Sequence, residues 1–339
     1  MAKTALADII VPNVFEQYAM ERTAAKSAFV ESGIVAMDPH YDLLASGGGK
    51  TIDMPFWQDI AQARQILSDA APLTVQKITA SKDVAIINND ANVWSANDLV
   101  GAMAGSDPLN AVLELVGNYW SRVDQAYVIS VLKGLFYPST GTLTASNKLV
   151  IGAEAIASYT AATKLTGDTF VDATVKLGDC SDNLTAIAMH SATEAALRKL
   201  DLIDYERDSN GVLRLKVFQG RRVIVDDTCP TRAGTTNGTV YTSYLFGPGA
   251  FARGNATVDK GPLEGGFGTY AAEWSRSSLD SDTNFINRRR YLLHPRGCKF
   301  TSASLAGQSP TNAELETATN WARVFEAKNC RIVAIDHNN

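Results

Sequence analysis

Apolar side chains return at three- and four-residue steps through Leu109, Val112, Leu113, Val116, Trp120, Val123 and Tyr127, and Leu132, Leu135 and Phe136 extend the series. That period belongs to an α-helix. Ser106 and Asp107 stand ahead of Pro108, where a side-chain oxygen can cap the free amides and proline forfeits no hydrogen bond. Pro138, Ser139 and Gly141 end the run. The spacing predicts one helix over 108–136, a rod of about 43 Å at about 1.5 Å per residue, long enough to cross a whole domain.

On its N-terminal side the pattern changes twice. Residues 14–31, with Phe15, Tyr18, Ala19, Ala25 and Phe29, read as a moderately amphipathic helix in an arm that grips something other than its immediate successor. Ile52, Met54 and Phe56 then alternate with Thr51, Asp53 and Pro55, which predicts a strand over 50–57 with Pro55 at a sheet edge. A second extended run covers 73–94, and between the two lies a polar tip, 58–71, with a short helical turn expected around Ile60, Ile66 and Leu67. A long hairpin projecting from the body accounts for this order. A lone hairpin cannot sustain itself in water, so this one needs a partner surface.

Beyond the helix, short periods of both kinds alternate. A turn and strand are expected over 141–149, helices over 154–165, 168–178 and 192–200, and strands over 184–189, 213–217, 222–225 and 240–246. Residues 232–238 read as a loop. Extended segments over 269–276 and 284–293 return toward the long helix, 312–325 is partly helical, and 330–335 is a last strand. Mixed strands and helices of this kind predict an α+β chain with a separate mixed α/β lobe.

At 339 residues the chain has ample length for a sizeable core, and a net charge of −5 gives no basic signal for a nucleic-acid surface. Cys180, Cys229, Cys298 and Cys330 form no paired spacing, so free, mostly buried thiols are expected. No apolar run of membrane-spanning length occurs, and the N-terminus does not read as a secretory signal, which predicts a soluble chain made in the cytoplasm.

The chemistry-bearing residues do not assemble into a known catalytic pattern. Gly47 to Thr51 looks like the tail of a phosphate-binding loop, but Leu44 occupies the place of its first glycine. His190 and Ser191 lack a nucleophile elbow, and Ser191 is expected to cap the helix that follows. Asp226 and Asp227 offer oxygen ligands but read as a solvated turn, and the four histidines show no metal-ligand spacing. Arg288, Arg289 and Arg290 are the dense basic run. Strand alternation puts Arg288 and Arg290 on one face and Arg289 on the other, suited to an intersubunit salt bridge or to DNA phosphate.

The succession of arm, hairpin, long helix, α/β lobe and return strands resembles the major capsid proteins of tailed bacteriophages, the Hong Kong 97-type fold. Met54 to Trp57, Ala186 to Ser191 with Leu197 to Lys199 after it, Gly220 to Asp227, Tyr244 to Ala250 and Arg290 to Pro295 carry the likeness locally, and it covers most of the chain. The resemblance implies an N-terminal arm over 1–45, an extended loop over 46–95, a peripheral domain over 96–180 and 269–306 holding the spine helix, and an axial domain over 184–267 and 321–337. It implies hexamers and pentamers of an icosahedral head around double-stranded DNA bound non-specifically. It implies further a scaffold protein, a portal and a decoration protein as partners, no membrane, no cofactor and no enzymatic activity. A separate scaffold is expected because the chain has no long extension before the arm. Phe15, Gln58, Arg64, Gln65, Asp69, Arg288 and Arg290 are the expected intersubunit contacts. Another virion head component, or an α/β hydrolase using His190 with Asp226 or Asp227, are the alternative readings.

Overall fold

A computed structural model describes residues 29, 33–37, 39–47, 49–60, 64–66, 73–97, 108–136, 140–155, 160–207, 213–234, 238–256, 271–276, 282–301 and 305–339. Two sheets share one long helix. The first sheet contains β1 (Val35–Met37), β2 (Thr51–Trp57), β3 (Ala80–Asn97), β11 (Phe251–Asn255), β12 (Ala271–Arg276) and β13 (Asp282–Pro295). Its order is β1-β11-β13-β3-β2, with β12 also on β13. Strand β13 organises it: one edge runs antiparallel to β3 from Asp282 opposite Asn97 to Leu292 opposite Ile87, while the other edge is divided between β12 and β11. Helix α1 (Pro39–Ser46) packs Ala45, with Tyr41 and Leu44, over Ile52, Ala85, Ile87 and Leu292.

The second sheet has eight strands. They are β4 (Lys148–Val150), β5 (Ala186–Met189), β6 (Ile203–Arg207), β7 (Leu213–Phe218), β8 (Arg221–Val225), β9 (Thr231–Ala233), β10 (Thr239–Phe246) and β16 (Ile332–His337). The order is β4-β16-β10-β5-β8-β7-β6, with β9 also on β10. The turn between β7 and β8 is Gln219 and Gly220, both at positive φ (49° and 75°), the two-residue geometry whose twist matches a hairpin. A small third sheet pairs β14 (Cys298–Phe300) with β15 (Trp321–Arg323).

Helix α2 (Pro108–Phe136) occupies the span its periodicity predicts. Its C-terminal half, from Tyr127 to Phe136, lies in one core with Ala186, Ala188, Tyr244, Phe246, Ile332 and Ala334 from the second sheet and Phe251, Tyr291 and Leu293 from the first. The alternate residues of those same second-sheet strands, Ile187, Met189, Leu245, Val333 and Ile335, turn to the other face. There they meet α4 (Gly167–Thr174) through Phe170 and Ala173, and α5 (Ser191–Lys199) through Leu197. The central strands are therefore apolar on both sides, and their sequences read as continuous apolar runs.

Several expectations need correction. Residues 73–79 lie outside any strand, and the β2–β3 strand pairing begins only at Ala80. The described parts of the tip, 58–60 and 64–66, carry no helical turn. Of the helix expected over 154–165, residues 156–159 lie outside the described residues, and the described remainder holds a bend at Glu154 and a 3-10 turn, Ala161–Thr163. A short helix α3 (Thr144–Asn147) precedes β4, and α1, β6, β9 and β11 were not anticipated. The C-terminal helical stretch is only α6 (Asn312–Glu316) and a 3-10 turn before β15. The arm helix expected over 14–31 falls outside the described residues apart from Phe29, which packs edge-on against Phe246.

Candidate assembly surfaces

Strand β2 forms the outer edge of the first sheet, and Pro55, which has no amide hydrogen to give, sits opposite Lys82 there. Past Trp57 the chain leaves the sheet. Gln58 continues the ladder by one rung, its amide donating to Thr79 O at 2.9 Å and the Thr79 hydroxyl donating to Gln58 Oε1 at 2.6 Å. Farther out, Gln65 stands in for a missing strand: its Nε2 donates to Thr74 O and its Oε1 accepts from the Thr74 amide, both at 2.7 Å. These bonds define a projecting hairpin with little else behind it. Along it Trp57, Ile60, Ile66, Leu73, Val75 and Ile78 are all more than half exposed, Val75 at 95%. A monomer gains nothing by leaving such a row in water, and contiguous exposed apolar surface marks a contact site.

The root of the hairpin is fixed. Phe56 meets Phe325 edge-on at 4.8 Å between ring centres. Beside this contact an open groove of about 660 Å3 runs between Trp57 and Asp59 on one wall and Arg296, Lys328 and Arg331 on the other.

The arginine run alternates as its strand register requires. Arg289 is buried, its guanidinium lying 4.2 Å from the ring centres of both Trp120 and Tyr291. It pairs with Asp124 at 2.6 Å and with Asp90 at 3.4 Å, and Asp124 also holds Arg253 at 2.9 Å. Burial works against the charge on Arg289, but Tyr291, Asp124 and Asp90 outweigh it and raise its pKa. The middle arginine thus ties β13 to α2 and β3, and Asp124 carries the link on to β11 through Arg253. Arg290 points the other way and donates to the carbonyls of Gly47 and Gly49, so it closes the glycine turn ahead of β2. Arg288 is half-buried on the same face. Gln58, Arg64 and Gln65 all lie on the exposed hairpin, whereas Phe15 and Asp69 fall outside the described residues.

His190 and its neighbours form a helix cap. His190 Nδ1 accepts from the Ala192 amide at 3.1 Å, so the cap of α5 is His190 and not Ser191. Asp227 accepts from the Ser191 amide at 3.1 Å, and hydrogen bonds from Ser191 hold its carboxyl below the usual range. With Nδ1 spent on the helix and the Ser191 side chain turned to Asp227, the imidazole is not placed to deprotonate the serine. Asp226 is buried and not solvated; its Oδ1 accepts from the Thr228 amide and hydroxyl at 2.8 and 2.7 Å. Lys50 of the glycine run donates to Gly307 O at 2.7 Å. Among the described residues no cluster of three His, Cys, Asp or Glu could hold a metal, and no helix is long and apolar enough to cross a membrane. Cys229, Cys298 and Cys330 are buried, Cys180 is half-buried, and all are free.

An edge hairpin leaving a sheet, a long helix shared by two sheets and a mixed lobe on the helix's far end define a Hong Kong 97-type shell protein. The capsid proteins of Ralstonia phage GP4 and of cyanophage Pam1 share this fold, each with a TM-score of 0.59 at 12% and 10% identity. The first match covers 98% of this chain and 97% of that one; the second covers 99% and 98%. The encapsulin complex of Synechococcus elongatus has it too, with a TM-score of 0.53 at 10% identity over 99% of this chain and 96% of that one. No family model matches the sequence. The major capsid protein of Bacillus phage SPP1 is 41% identical over 341 residues, 99% of each chain. The chain belongs to the family of phage major capsid proteins, and its role is structural.

Proposed function

We propose that this chain closes an icosahedral head through hexamers and pentamers, with the β2 and β3 hairpin clamping one subunit to the next. The observation that carries the reading is the exposed apolar row from Trp57 to Ile78 on an element that its own subunit barely supports. The first sheet with α2 then corresponds to a peripheral domain and the second sheet to an axial domain at the capsomer centre. Gln58, Arg64, Gln65 and Asp69 fall to the clamp and Phe15 to the arm. Arg288 and Arg290, which share one face of β13, are assigned to the contact with a neighbouring subunit. Assembly takes place in the host cytoplasm with a scaffold protein, a portal and a decoration protein. Packaged duplex DNA is held non-specifically: a net charge of −5 does not favour tight contact with every phosphate. Catalysis has no part in this role. Negative-stain microscopy of the purified, overexpressed chain tests the reading: closed shells, rings of five or six, or polymorphic tubes support it, and dispersed monomers at every concentration tried would contradict it.

A further inference from the structure

Cys298 and Cys330 meet where the chain passes between the two sheets. Cys298 opens β14, just past the turn at Arg296 and Gly297 that follows β13 of the first sheet. Cys330 stands two residues ahead of β16 in the second sheet. The backbone brings them together. Gly297 O accepts from the amides of Val324 and Phe325, and Cys298 lies opposite Arg323 where β14 pairs with β15. The 3-10 turn Ala327–Asn329 then returns the chain, closed by the Cys330 amide on Ala327 O at 3.2 Å. Asn147 Nδ2 holds this return in place by donating to the carbonyls of Ala327, Cys330 and Ile332. Both cysteine side chains are buried in one core, and the two thiols share a hydrogen bond. Most buried cysteines serve only as small apolar side chains, but these two spend their hydrogen bond on each other.

We infer that Cys298 and Cys330, both free thiols here, are a disulfide-forming pair, and that exchange with a low-molecular-weight disulfide closes it into a staple between the first sheet and the second. The hydrogen bond from Cys298 holds the Cys330 thiol below its ordinary pKa against burial, with Arg323 acting the same way, whereas that bond and burial push Cys298 up. Cys330 is therefore the attacking sulfur. Its thiolate bonds to one sulfur of the reagent and breaks the reagent's own disulfide, and the departing half takes up a proton and leaves as a thiol. Cys298 then gives up its proton, attacks the Cys330 sulfur and expels the second half as a thiol. Two electrons and two protons pass from the cysteines to the reagent. The open groove at the root of the hairpin gives the approach: Asn329 and Arg331, on either side of Cys330, and Arg296, two residues before Cys298, all line it. A reducing cytoplasm keeps the pair open, and the oxidising exterior met by a released particle closes it. That setting rests on the proposed assembly into a head; the crosslink itself is a property of the single chain.

Incubating the purified full-length chain under native conditions with excess hydroxyethyl disulfide, then blocking the remaining thiols and mapping tryptic peptides by mass, tests the pair. The expected product links the peptides 297–299 and 329–331 in preference to any other pairing of the four cysteines, and Cys229 stays open to the blocking reagent after denaturation. The crosslink should raise the thermal midpoint by about 3 °C or more, and a reducing agent should return it to its starting value. Cys298→Ser leaves no second sulfur to expel the adduct, so this variant should stop at the mixed disulfide on Cys330. Absence of the linked peptides, or their appearance only in urea alongside the other pairings, would overturn the pair. A linked chain with an unchanged or lower midpoint would overturn the staple. The linked peptides are read on the wild-type chain, so the test does not depend on the folding of the variant or on the formation of shells.

Discussion

Asp124 has a role that its own segment does not reveal. It lies on the apolar stripe of α2, four residues after Trp120 and three before Tyr127, where a carboxylate is out of place unless something buried answers it. The answering groups come from β13 and β11, far off in sequence, so nothing local identifies them. Removing one member of a buried ionic cluster costs more than the cluster contributes, because the remaining charges stay buried and unpaired. Asp124→Ala should therefore destabilise the chain by about 3–5 kcal/mol, read by urea unfolding of the unassembled protein. A loss under about 1 kcal/mol would show that the arginines find other partners. A second residue effect concerns acid. His337 is buried in the second sheet, with Nδ1 donating to Asn338 O at 3.2 Å and Nε2 2.9 Å from the Ser243 hydroxyl. Burial lowers its pKa to about 4. In the unfolded chain the imidazole protonates near pH 6.5, so between those values the unfolded state binds more protons and stability falls as the pH is lowered. The loss amounts to about 3 kcal/mol across the window and levels off below it. Unfolding of wild type and His337→Gln at pH 7 and pH 4.5 should show a smaller pH dependence in the variant, and equal dependence would place the titration elsewhere.

Among the elements, those whose pattern is local were legible and those made by partners were not. Helix α2 was readable because its stripe is long and a proline stands at its start and just beyond its end. Val123→Pro, in the middle of it, removes a helix hydrogen bond and forces the ring against the preceding turn, a cost of about 3 kcal/mol or more. Insoluble protein is expected on expression; soluble protein with native helicity by circular dichroism would mean α2 is not the main packing element. Strand β11 escaped notice because it lies between β1 and β13 and combines Arg253, Gly254 and Asn255, residues that read as a turn. In β6, Ile203 and Tyr205 alternate with charged residues too briefly to stand out. The far C-terminus holds the two described flanks of the segment expected as a helix over 154–165. Asn338 exchanges side-chain hydrogen bonds with both the amide and the carbonyl of Ala153, and its own amide donates to Thr163 O. A contact from the opposite end of the chain leaves no trace in the segment itself. The cap of α5 was misplaced by one residue for a similar reason, since the ring of His190 accepts the amide that serine hydroxyls more often take.

For the whole molecule, the order of segments pointed to the shell fold, and no catalytic motif did. The hairpin was legible as a projection but was read as polar, because Ile60, Ile66, Val75 and Ile78 are spaced too irregularly to register as a face. Their exposure emerges only once the tip is seen to leave the sheet. The central claim is that this element serves the neighbouring subunit and not its own, and shortening it separates folding from assembly. Replacing residues 58–79 with a short Gly-Ser turn leaves Thr51–Trp57 paired to β3 and removes the exposed row beyond Trp57. Loop shortening alone lowers the closure cost by about 1.5 kcal/mol, so the thermal transition should not fall below wild type. Sedimentation velocity of the shortened chain under conditions where wild type forms shells is the direct measurement. The account predicts folded monomers or small capsomers and no closed particles; normal shells from the shortened chain would contradict it.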